Sequence, residues 1–492
     1  MKEETKQDKK TNKSELLMPA GDLEKAKFAF AFGADAIYAG VPMFALRAKE
    51  NKFDTKDVEE IIKYAHGLGK KVYLTTNIYP HNEKIPGFEK AIEQMVALEP
   101  DAFIVSDPGV IQIIRERWPE KKDPEKPSSP ENGVELHLSV QQNNVNYMSP
   151  RFWKEKAGIT RIILARELSL KEVKEITTKN PDIEFEYFIH GAMCMAYSGR
   201  CLLSNYLAGR DANQGVCAQS CRWEYKLYKD NAPDYAERTG RPNSERYEEV
   251  ESGEYVVEEK LRRGEFNPIS EDEWGTYIFN SRDMCMIDYI EDIIKSGVCS
   301  LKVEGRNKSV YYAAIVAKVY REAIDKINAG EKPNTKKLLE ELQSTGNRGF
   351  IPGFLTGYPG AAAQKYDANE IYQTHVFAGK LLKYDSENNI AEFEVRNRID
   401  LEDELEIITP TKRFTHKITE MKNSEGENKK VMHPGTGSIK LKLSSEKGEH
   451  IDSEFCVARI KGLQKTKSFT PKINWTKIKI KKHNLKWCPK KK

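Results

Sequence analysis

ELLMPAGDLEKAKFAFAFGADAIYAG, residues 15–40, sets the expected fold class. A short apolar run reaches Pro19 and breaks at Ala20 and Gly21, and Asp22 stands where a helix would be capped. Apolar residues then recur at helical spacing as far as Gly33, which can end the helix, and AIYAG forms a second apolar run. The unit is strand, turn, amphipathic helix, strand. It recurs along the chain, with strand candidates at Lys71–Asn77, Ala102–Asp107, Glu135–Gln141, Arg161–Glu167, Glu184–Gly191 and Ser300–Arg306. The stretch FEKAIEQMVALEP is one of the helices between them. Eight buried strands alternating with helices predict an α/β fold, a TIM-like β/α barrel over residues 15–330. An open doubly wound sheet is the alternative, but no GxGxxG follows the first strand, so dinucleotide binding has no support.

The chain has 492 residues, enough for such a barrel and an appendage without disulfides. No run of about 18 apolar residues appears, so no membrane span is expected. Residues 1–14 are polar, are expected to be disordered and lack the apolar stretch of a secretory signal, so a soluble cytoplasmic protein is expected. Residues 229–273 are charged and keep neither period, which predicts an insertion before the eighth strand. Beyond it, GTYIFNSRDMCMIDYI predicts a strand and then a helix capped by Ser281 or Asp283. Residues 331–370 are expected to be a linker. From 371 to 460 the pattern changes to period two, as in IAEFEVRN and GSIKLKL. That predicts an all-β domain, a small barrel able to orient a large substrate.

Residues 461–492 hold twelve lysines and no Asp or Glu, so a net charge of +4 leaves the preceding residues at −8. A basic tail suits either a polyanion partner or a solvated terminus. Trp475 and Trp487 within it can stack on bases, which favours nucleic acid.

In a barrel, polar residues at the C-terminal strand ends converge on one mouth. Here those ends carry Asn77, Asp107, Gln141, Arg166, Glu167, His190, Glu304 and Arg306, with Asn143 just past Gln141. Strand ends are often polar simply because solvent is near, so the set marks a candidate site better than any one residue does.

No cysteine precedes Cys194. Cys194, Cys201, Cys217 and Cys221 then fall in one segment, FIHGAMCMAYSGRCLLSNYLAGRDANQGVCAQSCRWEY, and Cys285 follows in NSRDMCMID. In a chain without a secretory signal, such clustering points to metal or redox chemistry. Thiolates suit zinc or an iron–sulfur cluster, and the absence of two C-x-x-C knuckles favours the cluster. Buried free thiols are the bland alternative.

HGAMCMAYSGRCLLSNYL resembles the signature of the U-32 family, the collagenase-like peptidases. LHLSVQQNNVN, ILARELSL, GVCAQSCRWEY, NSRDMCMIDYI and SLKVEGRNKSVYY match further pieces, so the resemblance covers roughly residues 15–460. It is strongest with the branch associated with tRNA hydroxylation. That branch implies formation of 5-hydroxyuridine at the wobble position of the anticodon loop, with prephenate as co-substrate and without molecular oxygen. The resemblance also implies a 4Fe–4S cluster on Cys194, Cys201, Cys217 and Cys285, with Cys221 as the alternative fourth ligand and zinc as the alternative metal.

If that implication holds, Arg166 and Arg306 can fork onto the carboxylates of a small dicarboxylate, unless Glu167 and Glu304 take them. Asn77, Gln141, Asn143 and His190 can hydrogen-bond a uracil edge or a substrate oxygen. The family's peptidase label finds no G-x-S-x-G or H-E-x-x-H here, and His190 with Cys194 is the one Cys–His pairing to weigh. Three readings stay open: an RNA-modifying enzyme, a peptide hydrolase, and a non-catalytic metal-bound RNA-binding protein. Assembly as a homo- or hetero-oligomer is open too.

Overall fold

Strands that are apolar on both faces need cover on both, and a closed ring of parallel strands wrapped by helices supplies it. The computed structural model describes residues 14–40, 44–45, 53–194, 196–197, 200–208, 210–214, 216–222, 228–230, 247–249, 255–258, 266–272, 275–277, 281–359, 363, 371–444 and 448–462. β1 (Glu15–Pro19), α1 (Leu23–Ala31), β2 (Ala36–Gly40), α2 (Thr55–Gly67), β3 (Lys71–Thr76) and α3 (Ile85–Val96) open the alternation. β4 (Ala102–Val105), α4 (Pro108–Arg117), β5 (Leu136–Leu138), α5 (Ser149–Ala157), β6 (Ile159–Ile163), α6 (Leu170–Lys179) and β7 (Glu184–Ala192) continue it. Caps start the helices where the sequence places them: the Asp22 side chain accepts from Lys25 N at α1, and Ser169 and Glu172 form a reciprocal box at α6.

Next come α7 (Leu203–Ala208) and five short strands of the charged insertion. These are β8 (Tyr228–Asp230), β9 (Tyr247–Glu249), β10 (Tyr255–Glu258), β11 (Phe266–Asp272) and β12 (Gly275–Tyr277), joined in antiparallel sets β8–β9 and β10–β11–β12. The chain returns to the barrel through β13 (Asp283–Cys285), α8 (Ile290–Lys295), β14 (Ser300–Val303) and α9 (Val310–Asn328), then α10 (Thr335–Leu342) and β15 (Phe350–Ile351). Each of β1 to β6 pairs in parallel with the next. β14 pairs in parallel with both β1 and β7, in the registers Glu15↔Ser300 and Glu186↔Ser300, and so closes the ring. The eight strands are those the alternation predicts.

Inside the ring, charged side chains hold one another. Arg161 Nη1 lies 2.7 Å from Glu15 Oε1 and 3.9 Å from Glu186 Oε2, and Lys302 Nζ lies 2.6 Å from Glu186 Oε1. Burial works to raise the Glu15 carboxyl, but Arg161, with hydrogen bonds from Tyr73 and Ser300, holds it below the usual range.

Two segments differ from expectation. NSRDMCMIDYI was expected to open a helix at Ser281 or Asp283, yet Asp283–Cys285 forms β13, antiparallel to β7. Asp283 accepts from Arg348 instead of capping, and the apolar MCMI run fits a buried strand better than a helix start. The expected linker, 331–370, carries α10, capped by Asn334 with Leu338 and Leu342 buried, and β15, which pairs with β13.

The C-terminal region is the expected all-β domain, an antiparallel sheet of seven strands among the described residues with Ile399–Asp400 paired to Val431–Met432 beside it. Its order is Arg413–Lys417, Glu404–Ile408, Val457–Lys461, His375–Asp385, Ile390–Val395, Ser438–Lys442, Lys422–Asn423. Arg459, 2% exposed, ties this sheet to the barrel. It reaches Glu341 of α10 at 2.8 Å, Glu406 at 2.6 Å and the Tyr311 hydroxyl of α9 at 3.0 Å. Residues 1–13 and 463–492 lie outside the described residues, so the expected disordered start and nearly all of the basic tail do too.

Removing one member of a buried ion pair leaves the other charge uncompensated and costs about 3–5 kcal/mol. Lys302→Met is therefore expected to lower stability by about that much in urea unfolding, and adding Glu186→Leu should recover most of it. A Lys302→Met variant as stable as wild type would contradict this role.

Candidate functional site

The mouth at the C-terminal strand ends divides into two sectors. On one side stand three cations around two rings. Arg166, directly beyond β6, has its guanidinium carbon 3.6 Å from the centroid of Phe188 on β7. Lys302 Nζ lies 4.2 Å from the Tyr38 ring and 5.5 Å from Phe188. Arg306, beyond β14, lies 5.8 Å from Tyr38 and donates to Thr75 Oγ1 on β3 at 3.3 Å, so it reaches across the mouth past β1 and β2. Gly21 at the end of β1 lets this segment approach, because a Cβ there would collide with the Arg306 carbonyl. Burial pulls the Lys302 ammonium below its ordinary value, against the pull of Glu186.

On the other side stand carboxamides. Asn77 Nδ2 donates to Ser139 Oγ at 3.3 Å, and Gln141 Nε2 donates to the Asn77 carbonyl at 2.5 Å. β4 lies between β3 and β5, so both bonds pass over its end. Gln142 reaches the Ser106 carbonyl and the Tyr79 hydroxyl, the latter at 3.1 Å. Asn143 takes a left-handed conformation, φ 47°, which Asn tolerates and which turns the chain toward Asn144. Asp107 is spent on capping α4 through Val110 N.

Three sequence candidates are placed elsewhere. Glu167, one residue after Arg166, lines a crevice with Glu172, Phe354 and Tyr358. The register of β7 against β14 shifts between Lys302 and Val303, and beyond this bulge the His190 ring packs against Tyr312, Tyr320 and Phe350. It is therefore outside the mouth. The Glu304 carboxylate accepts from Ala192 N at 3.3 Å, which holds the end of β7 where Gly191 has φ 112°. Sequence reasoning missed Tyr38, Phe188, Lys302 and Asn144. The inward alternation of β2, β7 and β14 was the available signal for the first three, and the doubled amide run QQNN for the last.

The cysteine segment is laced around α7. Ala218 N donates to Ser204 Oγ at 2.8 Å, and Arg210 donates to the carbonyls of Val216 at 2.8 Å and Cys217 at 3.2 Å. It docks on the loop beyond β3, where Tyr79 N meets the Asn213 carbonyl at 3.2 Å and Lys84 meets Gln214 at 2.8 Å. Tyr79 also touches Gln142, so the segment borders the carboxamide sector. Cys194 and Cys217 are exposed, and Cys201 and Cys221 are half-buried. Cys285 is buried on β13 opposite His190, with its sulfur 3.7 Å from the Tyr320 hydroxyl, and burial pushes its thiol up to about 12. Among the described residues, no three Cys, His, Asp or Glu side chains stand at metal-binding spacing. Four thiols in one laced segment, with a fifth on a strand paired to its root, nevertheless form a donor set whose softness fits iron–sulfur or zinc.

A β/α barrel with a polar mouth, a cysteine-rich segment beside it and an appended β sheet defines the class. The pattern of peptidase family U32 matches residues 21–365, and that of its C-terminal domain matches residues 373–452. The chain belongs to peptidase family U32. It is 41% identical to tRNA hydroxylation protein P of Escherichia coli, over 86% of this chain and 92% of that protein. It is 30% identical to a 23S rRNA 5-hydroxycytidine synthase of the same organism, over 64% of this chain and 40% of that one. It is 29% identical to a collagenase of Porphyromonas gingivalis, over 81% of this chain and 87% of that one. No helix among the described residues is long and apolar enough to cross a membrane.

Burial, reinforced by Lys308, pulls the His190 imidazole down to about 3. The folded ring stays neutral to that pH, whereas the unfolded ring takes a proton near 6.5. Its contribution is complete above about pH 6.5 and is lost as pH falls toward 3, by about 1.4 kcal/mol per unit. His190→Phe is expected to flatten the acid limb of stability against pH over that window. An unchanged slope would mean the ring is not held neutral.

Proposed function

We propose that this chain is a tRNA hydroxylation enzyme that forms 5-hydroxyuridine at the wobble uridine, in the cytoplasm, with prephenate as co-substrate. The observation that carries the reading is its identity to a protein named for tRNA hydroxylation across nine-tenths of that protein's length. The mouth supports it. Arg166 and Arg306 present positive charge and planar donors suited to a small dicarboxylate, and Tyr38 and Phe188 offer faces against which a ring can lie. Anticodon loops expose bases that are already partly unstacked, so presenting one to a concave mouth costs little. The basic tail from Lys461 is proposed to add phosphate contacts.

A 4Fe–4S cluster is proposed on Cys194, Cys201 and Cys217, with the fourth thiolate from Cys285 or Cys221. Bound there, it would supply one-electron or Lewis-acid chemistry beside the mouth. The chain's own residues bind and orient: the arginines fix carboxylates, and the carboxamides accept and donate to neutral groups. A peptidase reading gains nothing from the site. His190, the base that a Cys–His pair would require, is walled in by three aromatic rings.

Deleting the gene in its host is expected to remove 5-hydroxyuridine-derived nucleosides from tRNA, measured by mass spectrometry. Arg306→Ala should restore less than a tenth of the wild-type level, since a lost charge-assisted bond is worth about 1.5–3 kcal/mol. An unchanged profile in a host without a paralogue would contradict the reading.

For the cofactor, anaerobically purified protein is expected to carry about four irons and four acid-labile sulfides per chain, the stoichiometry of one such cluster. Cys201→Ala should lose most of both. Alanine at Cys221 and at Cys285, compared for iron content, identifies the fourth ligand. Stoichiometric zinc without sulfide would overturn the cluster.

A further inference from the structure

The carboxamide sector holds more hydrogen-bonding capacity than the protein uses. Thr76 Oγ1, Ser106 Oγ, Gln141 Oε1, Asn143 Oδ1 and both amide atoms of Asn144 are buried with no partner among the described residues. Gln141 is 0% exposed and Asn144 is 1% exposed. Native interiors rarely leave so many polar atoms unpaired in one place. These come from the ends of three adjacent strands, β3, β4 and β5. Gln141 commits its Nε2 to the Asn77 carbonyl across the end of β4, so its open oxygen belongs to the same crossing of the mouth. The Asn144 carbonyl accepts from Ala165 N at 3.4 Å, which sets this residue beside Arg166, at the border of the two sectors.

The open atoms select the ligand by chemistry. Gln141 Oε1, Asn143 Oδ1 and Asn144 Oδ1 only accept, so their partner must bring donors; a carboxylate brings none. This sector therefore does not suit the dicarboxylate assigned to the arginines. Asn144 Nδ2 needs an acceptor in turn, and the two hydroxyls adapt to either. An N–H flanked by carbonyl oxygens meets these demands together. We propose that Gln141 and Asn144 seat the hydrogen-bonding edge of the target uracil, a residue-level assignment that rests on the tRNA reading above. N3–H donates to a carboxamide oxygen, and O4 accepts from Asn144 Nδ2. The C5–C6 edge, opposite N3, is then turned toward the cationic sector where the co-substrate is held.

The test is fluorescence anisotropy with two anticodon stem-loops, one carrying uridine and the other N3-methyluridine at the wobble position. Wild-type protein is expected to prefer uridine by about tenfold, the scale of one good hydrogen bond. Asn144→Leu and Gln141→Leu should bind both RNAs at the N3-methyl level. Asn144→Ser carries the same test should leucine prevent folding. Equal binding by wild type, or variants that keep the preference, would overturn this assignment while leaving RNA binding intact. Failure to bind either stem-loop would overturn the tRNA reading itself.

Discussion

β14 is the strand on which the molecule depends. By pairing with β1 on one side and β7 on the other, it turns an alternating chain into a closed ring. The same strand carries Lys302 into the interior against Glu186 and delivers Arg306 to the rim. Ring closure and site construction are one event, because a strand unpaired on either side would neither hold the Glu15–Arg161–Glu186–Lys302 chain of charges nor aim Arg306 at Thr75. Buried charges of this kind contribute little net stability against apolar replacements, but they punish any register in which a partner is missing.

β7 plays the complementary part. It is the longest barrel strand, and its bulge divides it into two stretches of opposite facing. Before the bulge, Glu186 and Phe188 serve the interior. After it, His190 turns to the aromatic wall beneath α9, and Gly191, at φ 112°, leads into the cysteine segment. That segment then folds back on the loop beyond β3 through Tyr79, so two distant strand ends share one cover over the carboxamides.

Most of the barrel was legible in the sequence because each strand is a short apolar run fenced by turn residues and the starts of α1, α2, α4, α6 and α9 have a capping side chain. β13 was not, since MCMI is too short to tell strand from helix; the deciding contact, Asp283 with Arg348, spans sixty-five residues. Arg166 and Arg306 were legible by position alone. Glu167 shares with Arg166 the turn beyond β6, where strand alternation no longer assigns a side, and His190 was hidden because nothing local announces a bulge whose cause is the register of a partner strand. Asn144 was hidden by loop geometry: in the run QQNN the left-handed turn at Asn143 lies between the two buried amides, Gln141 and Asn144. The all-β domain was legible from its period of two, which needs no partner outside the segment to be seen.

The account joins RNA presentation to one mouth, and a single photo-crosslinking measurement addresses that directly. An anticodon stem-loop with 4-thiouridine at the wobble position is irradiated with the full-length protein, and the adducts are mapped by peptide mass spectrometry. Adducts are predicted within 71–81 or 134–147, the strand ends and loops that form the carboxamide sector. Adducts confined to the C-terminal sheet, or to the outer helices α1 and α2, would contradict a base seated in the barrel.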